Sequence, residues 1–113
     1  MSPITTHVLD TARGLPAMGV PVRLEQRKSP DRWQLLGEGR TDSDGRVKDL
    51  LPDQFPLENG LYRLTFNTDA YFQTLKAKTF FPVVEICFEV SDKRHHHVPL
   101  LLSPFGYSTY RGS

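Results

Sequence analysis

Two histidines, one arginine and a four-residue tail are the side chains that could do chemistry together: His7, Arg46, His97 and Tyr110-Arg111-Gly112-Ser113. An imidazole titrates near neutral pH and can take a proton from water. A guanidinium stays charged and can hold a carbonyl or a developing oxyanion through directed hydrogen bonds. Taken singly, each has a plainer explanation. A strand histidine is more often packed or solvated, and an arginine after an Asp-Gly turn is usually a solvent-facing charge. Strand parity makes the set more informative, because side chains alternate between faces. In a strand from Ile4 to Asp10, Ile4, Thr6 and Val8 share one face, while Thr5, His7 and Leu9 share the other. In one from His95 to Ser103, His96, Val98, Leu100 and Leu102 oppose His95, His97, Pro99, Leu101 and Ser103. If the apolar sets face the core, His7 and His97 both project from the outside of a sheet.

Other chemistry is less well supplied. His95-His96-His97 invites a metal reading, yet alternation lets at most His95 and His97 converge on one ion. Two histidines without a carboxylate or a thiolate fall short of a usual zinc site, so no metal is expected. Asp42 and Asp44 read as turn residues, and no catalytic carboxylate pair stands out. Ser108 and Ser113 belong to no Ser-His-Asp arrangement the sequence can establish. Cys87 is the only cysteine, which excludes an internal disulfide and suits inert packing or partial exposure in a strand.

The elements that must position these residues are mostly strands. Val20–Arg27 alternates cleanly, with Val20, Val22 and Leu24 inward and charges outward. A third strand runs from Trp33 to about Thr41. Asp42-Ser43-Asp44-Gly45 is a turn signal, and Arg46 to Leu50 is a short segment after it. Gly60–Asn67 and Val84–Val90 alternate again. Between them lies one expected helix, from about Asp69 to Ala77, capped by Thr68 or Asp69 and carrying Tyr71, Phe72 and Leu75 as its apolar stripe. The His95 strand carries apolar residues on both faces and should be covered on both. Tyr107 to Ser113 has strand-like chemistry up to the last residue. Short strand signals with one helix before the final three describe an all-β sandwich in a single domain over residues 1–113.

Composition agrees. The chain is 38% hydrophobic and 24% charged, ordinary for a globular domain, and its net charge of +1 makes no case for nucleic acid or an anionic membrane. No apolar run is long enough to span a bilayer. Met1 to Thr6 lacks the charged-then-apolar pattern of a secretory signal, so a cytoplasmic location is expected.

Three separated motifs, in order, carry a resemblance. They are Thr6-His7-Val8-Leu9-Asp10-Thr11-Ala12-Arg13-Gly14, Asp44-Gly45-Arg46, and the final stretch from Leu101-Leu102-Ser103-Pro104 to Tyr110-Arg111-Gly112-Ser113. Together they resemble the transthyretin-like 5-hydroxyisourate hydrolase family along nearly the whole chain. Transthyretin itself shares the Leu-Leu-Ser-Pro and Tyr-Ser-Thr part but not the ending. The resemblance implies a two-sheet sandwich of about eight strands with one short helix. It also implies a homotetramer in which outer sheet faces meet and enclose a channel. There His7, Arg46 and His97 would be catalytic, and Tyr110, Arg111, Gly112 and Ser113 would bind a small purine-derived substrate, without a cofactor. The middle residue of the His95-His96-His97 run is commonly Tyr in the family, and His96 falls on the core side.

Overall fold

The computed structural model describes residues 1–113. Nine strands and one helix follow in the order β1 (Ile4–Asp10), β2 (Leu15–Pro16), β3 (Pro21–Ser29), β4 (Arg32–Arg40), β5 (Arg46–Val47), β6 (Gly60–Phe66), α1 (Thr68–Thr74), β7 (Val84–Val90), β8 (His96–Ser103) and β9 (Gly106–Thr109). One sheet has the order β2-β1-β8-β9, with β5 also paired to β1; the other has the order β4-β3-β6-β7. Twenty buried apolar residues form a single core between the sheets, most of them from alternate strand positions, with Ala17, Leu50 and Leu51 from loops and Tyr71 and Phe72 from the helix. This is the expected all-β sandwich.

The strand that departs from antiparallel pairing is the one that matters for the site. β1 runs parallel to β8, in a register that sets Thr5 beside His97 and His7 beside Pro99. On its other edge β1 holds β5, with His7 opposite Arg46. Two segments distant in the chain therefore flank one strand. Parity is as read: Ile4, Thr6 and Val8 are fully buried, whereas His7 and Leu9 are half-buried on the outer face.

Two boundaries differ from expectation for local reasons. The helix is capped by Asn67, whose side-chain carbonyl accepts from the Ala70 amide at 3.0 Å. Thr68 instead turns its hydroxyl to the Phe81 carbonyl and pins the far end of the connection. The helix stops at Thr74 because Lys76 adopts a φ of 54°, which no further turn can follow. Tyr71 docks it onto the first sheet by donating to the Asp10 carboxylate at 2.7 Å. β9 ends at Thr109, but Gly112 still bridges His97, so the tail continues along β8 as an irregular extension of the hairpin.

Candidate active site

The turn after β4 aims Arg46. Asp42 accepts at Oδ1 from the amides of Asp44 (2.9 Å) and Arg46 (3.0 Å), and those bonds hold its carboxyl below the usual range. Gly45 sits at φ 78°, and a Cβ there would lie 2.3 Å from the Val8 carbonyl oxygen, so only glycine fits against β1. Its own carbonyl accepts from the Val8 amide at 2.7 Å and closes the approach. Directly opposed residues of an antiparallel pair share a face. Arg46 and His7 thus stand together on the outside of the sheet.

His7 donates through Nε2 to the Asp44 carbonyl at 2.8 Å, which places its proton on that atom and leaves Nδ1 as the lone pair. The His7 and His97 rings lie 6.5 Å apart, centroid to centroid. His97 turns Nδ1 to the Thr5 hydroxyl at 2.8 Å, and no protein group hydrogen-bonds its Nε2. Burial, then the charges of Arg46, His95 and His7, push the His97 pKa below its ordinary value, while a hydrogen bond with the Thr5 backbone works the other way.

The tail completes this side. The β8–β9 ladder pairs Leu100 with Thr109, and the same register carried on pairs His97 with Gly112. The Gly112 amide donates to the His97 carbonyl at 2.8 Å. A Cβ on Gly112 would lie 2.5 Å from Cδ2 of His97, so the imidazole lies over the place where any other residue would carry its side chain. An open cleft of about 640 Å³ results, with Thr5, Arg46, Lys48, His95, His97 and Ser113 on its walls.

The sequence-predicted residues therefore divide. His7, Arg46, His97, Gly112 and Ser113 gather on one outer face. Tyr110 is 57% exposed. Arg111 does not line the cleft: its guanidinium pairs with Asp92 through two bonds of 3.0 and 3.2 Å. Arg111 and then Arg94 hold the Asp92 carboxyl far below the usual range. His96, on the core side as expected, is 3% exposed with neither ring nitrogen hydrogen-bonded. Thr5, His95 and Lys48 were not singled out from sequence, although period-two alternation puts Thr5 on the face of His7 and His95 on that of His97.

A two-sheet sandwich with imidazoles and a guanidinium facing one outer cleft defines a transthyretin-type domain equipped to handle protons. The chain belongs to the HIUase/Transthyretin family, whose model matches residues 4–112. It is 49% identical to the 5-hydroxyisourate hydrolase of Salmonella dublin over 97% of this chain and 80% of that protein. Among solved structures it superposes on Klebsiella pneumoniae 5-hydroxyisourate hydrolase with a TM-score of 0.84 and 36% identity, covering 97% and 98% of the two chains. It superposes on sea bream transthyretin in complex with thyroxine with a TM-score of 0.90 and 32% identity, covering 97% and 94%. An enzyme and a thyroxine-bound protein thus share this backbone, and the side chains in the cleft must decide between them.

Proposed function

We propose that the protein hydrolyses 5-hydroxyisourate in urate breakdown, giving the ring-opened 2-oxo-4-hydroxy-4-carboxy-5-ureidoimidazoline. The observation that carries this reading is the meeting of His7, Arg46 and His97 on one outer face, with Ser113 at the same cleft. Water would add its oxygen to the ring carbonyl carbon as His97 takes its proton at Nε2. Arg46 would hold the carbonyl oxygen while it gains charge. The C–N bond then breaks, and the departing ring nitrogen takes the proton back from His97. The substrate is already activated, so the reading requires neither metal nor organic cofactor.

His7 orients beside Arg46, its Nδ1 lone pair free to accept from the substrate's N–H edge. Gly112 leaves room for the His97 ring, Ser113 contributes to the cleft, and Tyr110 closes its rim. Arg111 serves indirectly by tying the tail to Asp92. The working form is a homotetramer: edge strands pair chains into dimers, and dimers stack across the outer faces that bear His7 and His97.

The competing reading is a carrier of an apolar ligand, in line with the thyroxine-bound neighbour. Arg46 and Lys48 make this cleft cationic and Thr5, His95 and His97 keep it polar, which suits an oxygen-rich substrate better. The test is to generate 5-hydroxyisourate from urate and follow its ultraviolet decay with and without the protein. Acceleration is expected; none at micromolar protein would sink the enzyme reading.

A further inference from the structure

A neutral imidazole acts as a base only at the nitrogen that lacks the proton, so the partner of its other nitrogen decides which atom works. Nδ1 of His97 lies 2.8 Å from the Thr5 hydroxyl, and that hydroxyl lies 3.0 Å from Nε2 of His95. Thr5 is 8% exposed and fixed between the two rings by the parallel β1–β8 register, while His95 is open to solvent. A hydroxyl has one proton, so when it donates to one ring it must accept from the other.

Two arrangements satisfy that rule. In one, His97 Nδ1–H donates to Thr5, Thr5 donates to His95, and Nε2 of His97 is bare. In the other the order is reversed and Nε2 of His97 carries the proton. Arg46 and Lys48, which share the cleft, are donors only, so a lone pair at Nε2 suits that wall and an N–H does not.

We propose that Thr5 and His95 are positioning residues of the hydrolysis, Thr5 holding the His97 proton on Nδ1 and His95 receiving the Thr5 proton during the reaction. The inference rests on the proposed hydrolysis and deepens it. As Nε2 takes the proton of the attacking water, Nδ1–H passes its proton to Thr5 Oγ1, and the Thr5 hydroxyl passes its own to His95 Nε2. The water oxygen keeps the O–H electron pair and forms the new C–O bond. His97 is left neutral with its proton on Nε2, and the positive charge sits on solvent-exposed His95. When Nε2 protonates the departing ring nitrogen, the relay runs back and restores Nδ1–H, so it neither gains nor loses a proton. The groups facing His97 are Arg46 from β5, His7 and Thr5 from β1, His95 ahead of β8, and Gly112 with Ser113 from the tail. Arg46, His7 and His95 each disfavour a lasting positive charge on that ring, which is the need the relay meets.

The test reads the proton directly. In the full chain labelled with 15N-histidine, long-range proton–nitrogen correlations at pH 8 should report His97 protonated at Nδ1 and bare at Nε2. Thr5→Val keeps the branched shape without the hydroxyl, and should shift that signature toward Nε2–H and lower kcat by about a hundredfold with KM little changed. Thr5→Ser should restore both. His95→Gln keeps an acceptor for Thr5, and should preserve the tautomer while lowering kcat by about tenfold. A wild-type His97 with its proton on Nε2 would overturn the proposal, as would a Thr5→Val protein with wild-type tautomer and kcat. Expected tautomers in a wild-type protein that hydrolyses nothing would instead overturn the reaction and leave Thr5's hold on Nδ1 standing.

Discussion

His97 is where burial and charge meet most directly, and both act in one direction. Its folded pKa lies below the 6.5 of a free imidazole, through burial first and then Arg46, His95 and His7. A neutral base survives to lower pH than usual, so kcat/KM should stay level from pH 8 down through 6.5 and fall only below it. A limb centred above 6.5 in the pH–rate profile would contradict this. Stability carries the same sign. The unfolded chain binds the proton near pH 6.5 but the folded chain does not, so the native state loses stability as pH falls from there to the folded pKa. Buried His96 is shifted down as well, by burial first and then Arg111, with Asp92 opposing from 3.7 Å. The urea midpoint should accordingly be lower at pH 5.5 than at pH 7.5. Gly112 tests the geometry of the same ring: Gly112→Ala should cost activity by about a hundredfold through displacement of His97, with little change in the thermal midpoint. Much at this scale was legible. Alternation alone set His7 and His97 on the outer face, and carried three residues past Thr109 it would also have turned Arg111 away from Gly112. The Thr5 bridge was not legible, because it needs β1 and β8 to be parallel neighbours, and no local pattern specifies which strands pair.

The turn from Asp42 to Arg46 is the element that most constrains the site. Gly45→Ala meets two obstacles, a φ of 78° and the Val8 carbonyl, and neither yields without moving β5 from β1. We expect a loss of about 1–3 kcal/mol in unfolding free energy. A fall in kcat/KM larger than that loss of folded protein explains should accompany it, since Arg46 rides on the same turn. Unchanged kcat/KM in the folded fraction would separate Arg46 from the chemistry. This turn was readable from Asp-Ser-Asp-Gly alone, because its bonds are local. The two-residue strand β2 was not: Gly14 to Pro16 reads as punctuation, and its strand character comes from pairing with Leu9 and Asp10. The helix was placed correctly but drawn three residues too long, since the left-handed Lys76 that ends it carries no glycine signal.

At the scale of the whole molecule, shape does not choose between enzyme and carrier, but the outer face of the site sheet does say something about assembly. Leu9 and Leu101 are half-buried on the face that carries His7 and His97, and they are adjacent across the β1–β8 register. Pro16 of β2, directly opposite Leu9, extends that face and is exposed. A lone chain would leave this apolar strip in water, and closed two-fold stacking of two such faces would cover it. Light scattering should therefore report four times the 12.9 kDa chain mass. Leu101→Glu puts a charge into that contact without touching the core, where Leu100 and Leu102 point. The variant should fold, fall to a dimer held by its edge strands, and lose most of its hydrolysis, because the cleft around His97 would lack its facing wall. A Leu101→Glu tetramer with full activity would move the interface to another face, and a fully active monomer would show that one chain's cleft suffices.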